Sequence, residues 1–150
     1  MKTLVHNPRA SFDYELLEQW EAGLELTGFE VKALKLGRAK LLGARVLVRG
    51  GEAYLIGAEI APYQAGNLPP GYEPGRAIRL LLTKKELASL SGVENSNGLT
   101  IIPLSVYNKG GKLKLVLALA RGKKKFDKRQ KIKERETKRE VDRTLKRGNK

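Results

Sequence analysis

The sequence predicts a mainly β protein: an OB-type small β-barrel of about six strands, with two short flanking helices and a basic C-terminal tail. Three observations carry this. Short apolar–polar alternations are joined by glycine turns. Two T-x-x-E boxes each open a brief apolar stretch at helical spacing. The charge is unevenly placed: of 30 Lys+Arg and 16 Asp+Glu in 150 residues, 15 basic and 5 acidic residues lie within 121–150.

Residues 1–11 read as an irregular arm and 12–120 as the barrel, with the tail at 121–150. "FDYELLEQWEAGLEL" (12–26) fits a long strand of period two, interrupted near Leu17–Gln19 and kinked at Gly23; a helix over 13–22 is the alternative. "TGFEVKALKLG" opens with a Thr27/Glu30 capping box. Val31 and Leu34 share its apolar face, Lys32 and Lys35 a basic edge, and Gly37 closes it. "ARVLVRGGEAYLI" is a hairpin turning at Gly50–Gly51. Residues 61–75 hold four of the six prolines and three glycines, so they form a loop. "RAIRLLL" (76–82) reads as a buried strand beside Arg76 and Arg79. Thr83 and Glu86 cap a second helix, with Leu87 and Leu90 inward and Gly92 at its end. A second hairpin, "LTIIPLSVYNKGGKLKLVLALA", turns at Asn108–Gly111, with Pro103 marking an edge or a bulge.

Ile132, Val141 and Leu145 are the only aliphatic residues of the tail, too few to offset the cost of ordering thirty residues. Proline is absent, and Glu134/Lys138 and Asp142/Lys146 are favourable i, i+4 pairs. The expectation is a tail disordered when free and helical on a partner that carries negative charge. RNA or DNA phosphate is the first candidate for that partner. A membrane surface would need a broader apolar face than three spaced aliphatics provide.

Catalytic signals are lacking. The chain has no cysteine and a single histidine, His6, and neither phosphate-binding glycine signature occurs. The reading is a binding protein without enzymatic activity or cofactor. No apolar run matches a signal peptide or a membrane span, so a cytoplasmic location is expected. Tyr63, Tyr107 and Phe126 sit beside basic or loop positions, where aromatics can stack on bases. Phe126 can alternatively pack back on the barrel.

Several stretches, in order, resemble one family. "DYELLEQWEAGLELTGFEVKAL", "GEAYLIGAEIAPYQAGN", "RLLLTKKEL", "GLTIIPLSVYNKGGKLKLVLALARGKK" and "DKRQKIKERE" are similar to the small protein B family. These are the SsrA-binding proteins that partner transfer-messenger RNA in bacterial ribosome rescue. The resemblance implies an OB-type barrel that binds the tRNA-like domain of that RNA. It implies delivery, with elongation factor Tu, to the A site of a stalled ribosome, where the tail occupies the vacant mRNA channel of the small subunit and reads the decoding centre. The protein is expected to act as a monomer, away from membranes. A general OB-type binder of single-stranded RNA with a non-specific basic tail is the alternative.

By the same resemblance, the RNA-contacting positions are Asn7, Arg9, Glu21, Lys32, Pro62, Tyr63, Gly66, Asn67, Arg79, Leu81 and Thr83. The ribosome-contacting positions are Gly122, Lys123, Lys124, Phe126, Asp127, Lys128, Arg129, Lys131 and Lys133. Glu21 either accepts from a base amino group or orients a neighbouring cation. Leu81 is either core or contact, and Gly66 and Asn67 can simply shape their loop. Pro8, Ala61, Thr83 and Phe126 depart from the family's usual residues, and Phe126 cannot donate a hydrogen bond.

Overall fold

The computed structural model describes residues 2–62, 70–94 and 98–123. In chain order the elements are β1 (Lys2–His6), α1 (Ala10–Asp13), β2 (Tyr14–Leu24), α2 (Gly28–Lys35), β3 (Ala39–Lys40), β4 (Arg45–Arg49), β5 (Glu52–Ile56), β6 (Glu59–Ile60), β7 (Ile78–Leu81), α3 (Lys84–Glu94), β8 (Leu99–Lys109) and β9 (Lys112–Gly122). The main sheet has the order β1-β8-β4-β5-β7-β2-β9, and an added β8–β9 pairing closes it. Six strands thus form a ring, β1 lies outside it on β8, and β3 and β6 make a separate pair. Closure pairs the strand edges that an open sheet would leave exposed. Among the described residues, no helix is long and apolar enough to cross a membrane.

The predicted alternations supply the interior. Ala22, Val46, Ala53, Leu55, Ile78, Leu80, Ile101, Val106, Leu115 and Leu117 are buried in one cluster, joined by Leu34 of α2 and Leu90 of α3. Each large aliphatic buried this way contributes about 1.5–3 kcal/mol. The first hairpin turns where predicted: Gly50 and Gly51 have φ of 59° and 76°, the paired left-handed conformation of a type I′ turn. In α2 the Thr27 hydroxyl accepts from the Glu30 backbone N–H and Glu30 accepts from that of Thr27. The helix ends in a Schellman motif, Gly37 N–H donating to Leu34 O and Arg38 N–H to Ala33 O. The Thr83/Glu86 box opens α3 in the same way.

Four local readings change, and one with two alternatives resolves to the favoured one. The opening segment is not irregular, because Lys2–His6 pairs with Ser105–Asn108 on the side of β8 that β4 leaves uncovered. Residues 10–13, read as the junction between arm and first strand, form the helical turn α1. The 12–26 segment is the favoured strand rather than the alternative helix from Tyr14 on, held by a nine-pair ladder to β9 with a bulge at Leu16/Glu18, within the interruption read near Leu17–Gln19. β7 is half-buried, its Arg79 and Leu81 pointing outward while Ile78 and Leu80 point in. Gly92 does not end α3; the helix runs on to Glu94, whose carboxylate accepts from Val48 N–H at 2.7 Å and from Arg49 Nη1 at 2.9 Å. These bonds outweigh the roughly 1 kcal/mol that a mid-helix glycine costs.

Pro103 sits at a bulge, as one of its two readings had it, with a register shift between Pro103 and Ser105 opposite β9. The bulge turns two carbonyls away from the ladder. Asn7 takes both: its backbone N–H donates to Leu104 O at 2.8 Å and its Nδ2 to Pro103 O at 3.0 Å.

Candidate nucleic-acid interface

The outer face of β2, β7, β8 and β9 gathers four of the sequence-predicted RNA positions, Glu21, Arg79, Leu81 and Thr83. Two open grooves run along it. The first, about 460 Å³, is lined by Thr3, Gln19, Trp20, Glu21, Ser105, Tyr107 and Val116. The second, about 420 Å³, is lined by Glu21, Gly23, Glu52, Arg79, Leu81, Thr83, Glu86 and Lys114, among others. Glu21 belongs to both. Strand register explains the gathering: Glu21 stands opposite Val116, which stands opposite Ser105, while Gly23 bridges Lys114 and Leu81.

Glu21 is the electrostatic centre of the face. Lys109 Nζ lies 3.5 Å from its Oε1, reaching across β9. Tyr107 lines the same groove as Glu21. The Tyr107 hydroxyl is the largest influence and, together with Lys109 and Lys114, outweighs desolvation and holds the Glu21 carboxyl below its ordinary value. Burial, then the neighbouring carboxylate, pushes the Tyr107 phenol up to about 12. Both groups therefore keep their roles at neutral pH: an ionised acceptor and a neutral hydroxyl donor.

Leu81 resolves toward the surface, with 48% of it exposed. A Cβ on Gly23 would approach Leu81 Cβ to 3.1 Å, so glycine there lets the leucine lie flat over β2. Arg79 is engaged. Its Nε and Nη2 form a forked pair with Glu52 at 3.1 and 3.2 Å, and its Nη1 donates to Glu25 at 3.0 Å. The Glu52 bonds, then those of Glu25, push its guanidinium above the ordinary value. Any phosphate reaching Arg79 competes with two carboxylates.

The other predicted positions lie elsewhere. Lys32 is exposed on α2. Pro62, whose carbonyl accepts from Arg38 Nη1 at 3.2 Å, helps line a groove of about 390 Å³ with Arg38, Lys40 and Pro74. Asn7 is buried and holds the bulge described above. Arg9 stacks over Phe12 at 5.1 Å and pairs with Asp13. Gly122 is the last residue of β9, opposite Tyr14. Lys123 donates its backbone N–H to Asp13 O at 3.0 Å and its Nζ to Ser11 O at 2.7 Å, so the base of the tail is fastened to α1. Tyr63, Gly66, Asn67, Lys124, Phe126, Asp127, Lys128, Arg129, Lys131 and Lys133 lie outside the described residues, as does the expected order of the tail.

Two features escaped the sequence. The Tyr107–Glu21–Lys109 contact joins residues 88 apart in the chain, and no local pattern announces it. The second is the ion pair of Glu30, 2% exposed, with Arg76. The capping box accounted for Glu30 without calling for a cation.

A model of the family described as SmpB protein matches residues 4–147. The chain belongs to the SmpB family. Among similar chains, an SsrA-binding protein of Synechococcus sp. (strain JA-3-3Ab) is 47% identical over 146 residues, covering 97% of this chain and 95% of the relative. That of Sulfurihydrogenibium sp. (strain YO3AOP1) is 45% identical over 145 residues, covering 97% and 95%. A chain from a solved structure described as "tmRNA-SmpB: a journey to the center of the bacterial ribosome" superposes with a TM-score of 0.69 at 44% identity, covering 80% of this chain and 84% of that one. The barrel with its short helices is therefore the SmpB architecture. The family match extends through the basic segment to residue 147.

Proposed function

We propose that this SmpB-family chain binds the tRNA-like domain of transfer-messenger RNA through its barrel and takes part in rescue of stalled ribosomes. In this reading the tail enters the vacant mRNA channel and reads the decoding centre. Elongation factor Tu accompanies delivery, and the protein acts as a cytoplasmic monomer without catalysis of its own. The observation that carries the proposal is full-length membership of a family whose relatives are named SsrA-binding proteins. The barrel face supports it, because Glu21, Leu81 and Thr83 share one surface bordered by Lys109 and Lys114. The ribosomal role rests on the resemblance of residues 122–133 to the family motifs.

The test is binding of the full chain and of a 1–123 truncation to the tRNA-like domain, against an unrelated stem-loop, at two salt concentrations. The truncation keeps every described strand and the Lys123 fastening. The expected result is a similar preference for the tRNA-like domain in both forms. Weak, indiscriminate binding by the truncation would leave a charge-driven RNA binder instead.

Lys32→Ala is expected to weaken binding to this RNA and to reduce the slope of log affinity against log salt by about one unit. An unchanged slope would remove Lys32 from the phosphate-contacting set.

A further inference from the structure

Resting on the RNA-binding function proposed above, we infer that Glu52 is a positioning residue for RNA discrimination: with Glu25 it clamps the Arg79 guanidinium away from non-specific phosphates, so that only RNA seated on the rest of the face draws the arginine out. The sheet builds this clamp. β7 lies between β5 and β2, and Arg79 points outward from that middle strand. Tyr54 stands opposite Arg79, which places Glu52 on the diagonal of the same face. On the other flank the Glu25 backbone N–H donates to Arg79 O at 3.0 Å and fixes Glu25 beside the arginine. Glu52 accepts from Nε at 3.1 Å and Nη2 at 3.2 Å, and Glu25 from Nη1 at 3.0 Å. Each nitrogen of the guanidinium is thus directed at a carboxylate oxygen.

Local charge decides what the clamp does. One guanidinium between two carboxylates leaves a net negative spot on a chain of net charge +14. A phosphate arriving by general attraction meets two competitors already in place, and a forked carboxylate suits a guanidinium as well as a phosphate does. The clamp can also open. Arg79, Glu25 and Glu52 are 45%, 58% and 36% exposed, and ion pairs in contact with water are weak. RNA held by the surrounding face presents its phosphate to the groove at high effective concentration, and that phosphate can exchange for the carboxylates. An RNA without the matching shape gains no such advantage. Discrimination of this kind penalises the wrong partner instead of adding a contact to the right one.

The experiment is a coupling measurement on the full chain. Wild type, Glu52→Gln, Arg79→Ala and the double variant are each titrated with the tRNA-like domain and with an unrelated stem-loop, at two salt concentrations. Glu52→Gln is expected to tighten stem-loop binding about fivefold, the scale of one exposed ion pair, and to steepen its salt slope by about one unit. Affinity for the tRNA-like domain is expected to rise by less than about twofold, so the preference narrows. In the Arg79→Ala background the same substitution is expected to move stem-loop affinity by less than about twofold. An equal effect in both backgrounds would mean that Glu52 acts only by its bare charge, and would overturn the clamp. An unchanged preference, or weaker stem-loop binding by Glu52→Gln, would reduce Glu52 to a brace between strands and overturn it as well. Failure of wild-type protein to prefer the tRNA-like domain would instead sink the proposed function, and this inference with it. A melting curve accompanies each protein. Glu25→Gln loosens the clamp from the other flank and is expected to narrow the preference in the same direction, which keeps the inference testable should Glu52→Gln fail to fold.

Discussion

Simultaneous replacement of Asp127, Lys128 and Arg129 by alanine is expected to abolish peptide tagging on stalled ribosomes while leaving affinity for the tRNA-like domain within about twofold. The second half follows from charge. The substitution removes two positive charges and one negative, so the net charge falls only from +14 to +13. A non-specific electrostatic contribution to RNA affinity follows the number of phosphates neutralised and changes little under such an exchange. The barrel face around Glu21, Leu81 and Thr83 is untouched. The first half follows from the resemblance of these positions to the family's decoding motif. A reconstituted tagging reaction and an equilibrium titration, run on one preparation, measure both. Retained tagging would remove the three residues from the decoding role. A large loss of RNA affinity would refute the division of labour between barrel and tail.

Lys123 shows how far such motif assignments reach. By sequence it belongs to the tail, inside the G-K-K motif. By structure its backbone continues the β2–β9 ladder by one hydrogen bond and its ammonium caps the α1 carbonyl of Ser11. Its position is set by the barrel.

What the sequence revealed and what it hid divide along the range of the interactions. Capping boxes, glycine turns and apolar alternation are local, and the structure reproduces them at Thr27, Gly50–Gly51, Thr83 and Gly111. β1 was hidden because nothing in "KTLVH" distinguishes an arm from a strand; the decision lies in the uncovered side of β8, a hundred residues away. α3 outruns Gly92 for the same reason, since Glu94 is recruited by β4. Of the candidate site, the motif residues Glu21, Leu81 and Thr83 were nameable, but not that they share a face, because that depends on the register of β2 with β9 and β7. Leu81 illustrates the gap most simply. A run of three leucines reads as core, whereas the two-residue period of β7 turns the middle one outward.

Arg76→Ala is expected to destabilise the fold by about 3 kcal/mol, because it strands a buried carboxylate without its partner. Glu30 is 2% exposed, and Arg76 meets it with two bonds, Nε to Oε2 at 2.9 Å and Nη2 to Oε1 at 2.5 Å. The same guanidinium donates to the carbonyls of Glu25 and Ala77, so one side chain ties α2 to both the end of β2 and the start of β7. The estimate sits at the lower end for a broken buried pair because Arg76 itself is one-third exposed. Such a loss lowers the melting temperature by roughly 10 °C in a domain of this size. The pair also fixes a pH dependence. Burial pushes the Glu30 carboxyl up, but hydrogen bonds from Arg76 and from the Thr27 backbone together outweigh it and hold the group below its ordinary value of 4.5. A depressed carboxylate stabilises the fold fully above that ordinary value and loses its contribution as pH falls through the lower folded value. Wild-type stability is therefore expected to decline below about pH 4.5 more steeply than that of Glu30→Gln, which keeps the Thr27 hydrogen bond but has no proton to gain. Denaturant melts of the two proteins between neutral and acid pH decide the matter: parallel curves would mean that the ion pair carries no pH-dependent stability, whereas converging curves assign it to Glu30.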